Sequence, residues 1–173
     1  AINPSGIMKA LKNDKEVEST RIAHLKDGAA MVEFIHWLKT TMKFTSMLGI
    51  PGMGVGINTG MTEIAASDYL EVCRRRQEGF MDLSFDTISG YGPNGAIVHY
   101  CATPETDREL KAEGFFLVDS GAHYKEGTTD ITRTIALGVL TDRMKEDYTA
   151  VLKAHIAVAR AEFAPGTMGA EID

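Results

Sequence analysis

Two β-type segments, 115–119 (Phe-Phe-Leu-Val-Asp) and 130–137 (Asp-Ile-Thr-Arg-Thr-Ile-Ala-Leu), are separated only by a short run through Ala122 and Gly127. So little intervening chain leaves an antiparallel hairpin as the natural pairing, because a parallel crossover needs a dozen or more residues. A turn centred between Tyr124 and Lys125 sets Asp119 opposite Asp130, with their Cβ atoms about 5 Å apart. Like charges opposed in this way are destabilising. The apolar flanks Phe115, Phe116, Leu117, Val118 and Ile131 make an uncompensated carboxylate costlier still. A shared proton, an arginine or a metal ion would each relieve the repulsion. Arg133 lies three residues past Asp130 and so points to the other face of a strand, which makes it a poor neutraliser. Adjacent carboxylate oxygens suit hard or borderline divalent ions. The bland alternative is that both aspartates are exposed turn-flanking residues that bond to nearby backbone. Spacing alone leaves both readings open.

The remaining pattern surrounds this hairpin with helices. Asn13 or Asp14 can cap a helix running to about Met42, with Glu16 and Glu18 in its positive first turn. Its apolar positions Ile22, Leu25, Ala29, Val32, Ile35, Leu38 and Met42 advance by three or four and predict one core-facing stripe. His24 and His36 fall off that stripe and are read as surface residues. Residues 1–12, with the turn signal Asn3-Pro4-Ser5-Gly6, read as a linker. The stretch 48–60 is glycine-rich but lacks both a Gly-Lys-Ser/Thr ending and a strand-borne G-x-G-x-x-G, so it reads as a flexible connection. A second helix is expected from Thr62, with Glu63 near its start, to about Gln77. Arg74, Arg75 and Arg76 are expected to be its solvated end.

Residues 85–89 alternate like a strand, Gly90 to Gly95 form a turn, and 96–100 read as the return strand bearing His99. By itself His99 reads as a packed structural histidine, and the His99-x-Cys101 pattern is too sparse for a metal site. Residues 104–113 read as a loop. Thr141 or Asp142 opens a last helix to about Phe163, with His155 on its apolar side and expected in a core. The sum is an α+β chain.

Composition removes other classes. The 173 residues carry 18 basic and 24 acidic side chains, a formal charge of −6, which does not suit a general nucleic-acid binder. Apolar stretches fall far short of the roughly 20 residues that span a bilayer. Two cysteines cannot build a disulfide framework, so a reduced, cytoplasmic protein is expected. The beginning Ala1-Ile2-Asn3-Pro4, without Met, and the ending Ile172-Asp173 suggest a piece of a longer protein.

Three motifs then occur in order: G-P-N-G-A-I-V-H-Y (92–100), L-V-D-S-G-A-H-Y (117–124) and T-D-I-T-R-T (129–134). With M-T-E-I (61–64) and G-A-E-I-D (169–173), they resemble the Xaa-Pro aminopeptidases (aminopeptidase P) of the creatinase/methionine aminopeptidase superfamily. The resemblance covers nearly the whole chain and is nearest to the large, three-domain cytosolic type. It implies the pita-bread fold, first half only: antiparallel strands packed against long helices. Residues 1–12 become a linker from a missing N-terminal domain, and 13–173 the N-terminal half of the catalytic domain.

The resemblance also implies two divalent cations, usually Mn2+, with Zn2+ or Co2+ as alternatives. Asp119 and Asp130 would be two of their ligands, with Asp130 bridging. His99 would position the scissile peptide and stabilise its transition state, and Phe85 would stand near the substrate pocket. The substrate would be a peptide with proline second, and a homo-oligomer is expected, with no nucleic-acid or membrane partner. The family's remaining histidine and both glutamates lie beyond its equivalent of Asp173, so the chain alone is expected to be inactive. Its inner sheet face is expected to be apolar and open to water. A prolidase, or a non-catalytic pita-bread module that binds peptides or histones, are the alternatives. Such modules generally lack the two aspartates.

Overall fold

A computed structural model of the chain describes residues 3–48 and 61–172, with side chains described throughout except at 44–48. The glycine-rich segment 49–60 lies outside the described residues. The chain divides into two units, one ending at Gly138 and the other beginning at Val139.

The first unit starts with a short helix, α1 (Pro4–Ala10), where the sequence suggested only a turn. Asn3 caps it by accepting from Ser5 N–H at 3.1 Å, and Pro4 sits in its first turn, where a missing N–H costs nothing. Helix α2 (Asp14–Leu48) opens on a reciprocal capping box. Glu16 N–H donates to Asn13 Oδ1 at 2.9 Å, and Asn13 N–H donates to Glu16 Oε2 at 2.8 Å. It runs past Met42 because residues 43–48 contain no glycine or proline.

The buried face of α2 is not the expected stripe. Ala23, Asp27, Ala30, Met31, Phe34, Leu38 and Met42 are buried. Leu25 and Val32 are 74% and 68% exposed, and Ala29 is exposed too; of the expected stripe only Leu38 and Met42 are fully covered. Two apolar stripes lie side by side on this helix. The one that packs contains small Ala23 and Ala30, which allow close approach, and Asp27, which has a buried partner. That partner is Arg74, on α3 (Glu63–Arg75). Arg74 Nε and Nη2 donate to Asp27 Oδ1 and Oδ2 at 2.7 and 3.1 Å, and Tyr124 Oη donates to Oδ1 at 3.0 Å. Arg74 is thus a core residue, not part of a solvated terminus. Arg75 and Arg76 do lie at the surface, paired with Glu71 and Glu33.

Thr62 caps α3 by accepting from Ala65 N–H at 3.2 Å. The two helices are joined by Trp37 stacked on Tyr69, ring centroids 3.8 Å apart. Phe34, Leu38, Met42, Ala66, Leu70 and Cys73 form one core with Phe116, Val118 and Ile135 of the sheet beneath.

That sheet has the order β2 (Ile88–Tyr91), β3 (Phe115–Ser120), β6 (Ile131–Ala136), all antiparallel. Burial alternates along β3, with Phe116, Val118 and Ser120 towards the helices and Phe115, Leu117 and Asp119 half-exposed on the open face. A smaller sheet has the order β1 (Phe80–Leu83), β4 (Ala122–Tyr124), β5 (Gly127–Thr128). The strand expected over 85–89 is instead β2, and Phe85 lies in the bend before it. Ser84 fixes this corner, its N–H donating to Gly121 O at 3.1 Å and its hydroxyl to Thr129 O at 3.0 Å. Gly121 lies so close beneath that a Cβ there would stand 2.0 Å from Thr129 O.

The hairpin exists, but its register is displaced from the expected one. The loop centres on Lys125 and Glu126, between Tyr124 and Gly127, not on Tyr124 and Lys125. Tyr124 is committed to the core through Asp27 and cannot serve as a turn residue. Asp119 consequently pairs with Thr132, and Asp130 falls just before β6 begins.

The return strand expected over 96–100 is also absent. A 3-10 turn (Gly92–Ala96) lies directly over β2, so close that a Cβ on Gly90 would meet Gly95 backbone at 2.8 Å. It is followed by a β-turn in which Tyr100 N–H donates to Ile97 O at 3.2 Å.

The second unit holds α4 (Asp142–Arg160), capped by Thr141, and the one-turn α5 (Gly169–Ile172). Alpha-4 buries none of its side chains, and His155, expected in a core, is exposed. A single turn of helix cannot cover the apolar side of a 19-residue one. No described helix is long and apolar enough to cross a membrane.

Candidate metal centre and substrate groove

The open face of the large sheet forms the floor of a groove of about 300 Å³. It is lined by Ile88, Leu117, Asp119, Thr132 and the segment 95–99. Ile88, Asp119 and Thr132 lie in one row across the three strands, which places the carboxylate at mid-sheet. Thr132 Oγ1 donates to Asp119 Oδ1 at 2.6 Å and so orients the carboxylate. Because Thr132 replaces Asp130 as the cross-strand neighbour, the repulsion expected between directly opposed aspartates does not arise in this form. Asp130 lies outside the ladder, immediately before β6, and is exposed.

Among the described residues, neither Asp119 nor Asp130 forms an ion pair. Arg133 pairs with Val118, on the side opposite Asp119, and its Nη1 donates to Thr132 O at 2.7 Å. Arg133 therefore neutralises neither aspartate. A half-buried carboxylate, aligned by a hydroxyl and paired with no basic side chain, could serve as one ligand of a divalent ion. Two such groups are a partial donor set, and no group of three or more His, Cys, Asp and Glu suited to a metal occurs among the described residues.

His99 reaches the groove from the other wall, though not from a strand. It occupies the third position of the turn beginning at Ile97, with φ of 55°, and it is exposed. Positive φ at that position is what a type II turn demands and is uncommon for any residue but glycine, although histidine adopts it more readily than most. Val98 beside it is 82% exposed. His99 and Asp119 thus line one groove, whereas Asp130 and Phe85 do not. The open face is accordingly mixed, Asp119, Thr132 and Thr134 alternating with strand neighbours such as Leu117, and not the apolar patch expected. Exposed apolar side chains are instead prominent on the outer face of α2 and along α4.

Thr132 escaped sequence reasoning because its role depends on the register, which the misplaced turn concealed. Glu63 and Asn94 escaped it too, one read as a first-turn acid and the other as a turn former. In the fold Glu63 is fully buried and Asn94 nearly so, bonded to each other beneath the groove wall.

The model of metallopeptidase family M24 matches residues 18–173. The chain belongs to that family. Over 99% of its length it is 43% identical to aminopeptidase P1 of Lotus japonicus, of which it covers 27%. The crystal structure of an X-prolyl aminopeptidase from Caenorhabditis elegans, described as a cytosolic enzyme with a di-nuclear active site, superposes with a TM-score of 0.80. The identity is 39%, over 96% of this chain and 25% of that one. An Xaa-Pro dipeptidase from Bacillus anthracis superposes with a TM-score of 0.71 at 30% identity, covering 94% of this chain and 39% of that one. The chain thus spans about a quarter of the curated relatives it matches. Its mixed helices and antiparallel strands are the N-terminal part of the M24 pita-bread fold.

Proposed function

We propose that this chain is the first half of the catalytic domain of a di-metal Xaa-Pro aminopeptidase, which removes the N-terminal residue from peptides with proline second. The observation that carries the reading is the shared groove, in which Asp119 lies on the floor and His99 on the wall. Asp119 and Asp130 would hold part of a pair of divalent ions, with Asp130 as the bridging ligand. Their all-oxygen character favours Mn2+ over softer ions. When bound, such ions supply an activated water and stabilise negative charge on the carbonyl oxygen.

The chain's own residues then divide the work. Thr132 fixes one oxygen of Asp119 and leaves the other for a ligand bond. Ile88, Leu117, Ile97 and Val98 give the groove apolar surface against which a peptide side chain can pack. His99 presents its ring at the groove edge, where an imidazole N–H can donate to the scissile carbonyl. Phe85, at the corner between the sheets, is assigned to the outer substrate pocket.

Two carboxylates do not close a two-ion site, so the chain by itself would be inactive and would depend on the rest of a longer protein for the other ligands. The cytoplasm and a homodimer are the proposed setting, in line with the cytosolic description of the C. elegans relative. The test is to compare this chain and the full-length protein on an Xaa-Pro-Yaa peptide with added Mn2+. Turnover confined to the full-length protein supports the reading, and comparable turnover by the chain alone refutes it. The Bacillus anthracis relative supplies a second reading, a dipeptidase. Cleavage of Xaa-Pro but not of Xaa-Pro-Yaa would favour that enzyme.

A further inference from the structure

The segment that carries His99 is held from behind by one carboxylate. Glu63 opens α3, is fully buried, and receives donors from both ends of that segment. Tyr91 N–H, just before the 3-10 turn, donates to Oε1 at 2.6 Å. Asn94 Nδ2, within the turn, lies 3.1 and 3.0 Å from Oε1 and Oε2. Tyr100 Oη, on the residue after His99, donates to Oε2 at 2.9 Å, and Arg108 N–H adds a bond of 3.1 Å. A buried carboxylate is costly unless its lone pairs are filled, and the N-terminus of α3 adds a favourable dipole. The main chain of the same residue is also engaged: Glu63 N–H donates to Arg108 O, and Ser89 Oγ donates to Glu63 O at 2.7 Å.

The segment between these anchors has a strained element to hold. His99 keeps a positive φ, in a turn whose other side chains Ile97 and Val98 face solvent. Such a conformation persists only where the surroundings over-determine it. The bonds at Tyr91, Asn94 and Tyr100 bracket it on both sides, and all three converge on Glu63.

We propose that Glu63 is a positioning residue for His99: its buried carboxylate latches segment 91–100 and so fixes the imidazole at the groove edge beside Asp119. It acts through His99 and the turn, without itself reaching the groove. The catalytic consequence rests on the reading of His99 given above, whereas the latch itself is a statement about structure.

The test uses the full-length protein and its Glu63→Gln variant, which keeps volume but turns one acceptor into a donor facing other donors. Hydrogen exchange by mass spectrometry is expected to rise in peptides covering 91–100, with peptides covering β3 unchanged. At saturating Mn2+, kcat on an Xaa-Pro-Yaa peptide is expected to fall about 100-fold, as for a misplaced catalytic group, with little change in KM. In a His99→Ala background the same substitution should cost little more, because the two act as one unit. Tyr100→Phe, a milder change that deletes one anchor, should raise exchange over the same peptides and keeps the proposal open to test if Glu63→Gln does not fold. Unchanged exchange over 91–100 in the folded variants, or losses from Glu63→Gln and His99→Ala that simply multiply, would overturn the proposal. Unchanged turnover in His99→Ala alone would instead contradict the role given to His99, while raised exchange in Glu63→Gln would still support the latch.

Discussion

Thr132 faces Asp119 across the β3–β6 ladder and donates its hydroxyl to Oδ1 at 2.6 Å. A hydrogen bond to a metal-binding carboxylate fixes its orientation, and removing such a partner typically costs about 10- to 100-fold in metal affinity or activity. Thr132→Val is therefore expected to weaken Mn2+ binding by the full-length protein by about that factor. Stability should change little, since the side chain is exposed and valine suits a strand. Titration calorimetry beside a thermal melt checks this, and unchanged affinity would count against Asp119 as a ligand.

His99 sets stability against function. Glycine accepts its φ of 55° without a steric penalty, so His99→Gly is expected to stabilise the fold by up to about 1 kcal/mol. The same variant should lose most turnover. A raised melting temperature together with lost activity is the expected pair. A lowered melting temperature would mean that the imidazole is a structural group.

The buried pair Asp27 and Arg74 bridges α2 and α3, and Tyr124 adds the hairpin to it. Leaving one member of a buried pair without its partner typically costs about 3–5 kcal/mol. Arg74→Met should therefore destabilise by about that amount, and Tyr124→Phe, which removes one hydroxyl, by about 1–3 kcal/mol. Asp27→Leu combined with Arg74→Met should recover part of the loss, because no charge then remains buried alone. Denaturant unfolding of the four proteins checks the order.

Burial, with Glu33 nearby, pushes the Cys73 thiol up from its ordinary 9.0 to about 11. Burial and the adjacent Asp27 likewise push the Tyr124 hydroxyl above its usual range. Both groups hold their protons more tightly folded than unfolded. Their stabilisation is complete below the unfolded pKa; that of Cys73 is lost as pH rises from about 9 towards 11, and that of Tyr124 only as pH rises above 10. Melting temperature should fall across that window, and less steeply in Cys73→Ala. Exposed Cys101 should be alkylated in the native protein while buried Cys73 is spared. Equal labelling of both would contradict the packing of α3.

The parts of the fold legible in the sequence were those set by local chemistry. Asn13 with Glu16, and Thr62 before Glu63, mark the starts of α2 and α3 because capping is read within four residues. The continuous apolar run in 115–118 likewise identifies β3. What escaped depends on tertiary choice. Two apolar stripes compete on α2, and only the buried meeting of Asp27 with Arg74 selects between them. The hairpin loop shifts to Lys125 and Glu126 because Tyr124 is drawn into the core. His99 leaves its expected strand because the 3-10 turn folds over Gly90. At the candidate site, Asp119 and His99 were named from motifs, but Thr132 and Glu63 act through register and burial, which no local pattern encodes.

The peptidase chemistry proposed for this M24 chain comes down to whether Asp119 and Asp130 bind metal together. Elemental analysis of the purified full-length protein, beside its Asp119→Asn and Asp130→Asn variants, answers that question. Two divalent ions per chain are predicted for the parent, matching the di-nuclear centre described for the C. elegans relative. Each variant should lose at least one ion and its turnover of Xaa-Pro peptides. Two ions retained in both variants, with activity intact, would contradict the assignment.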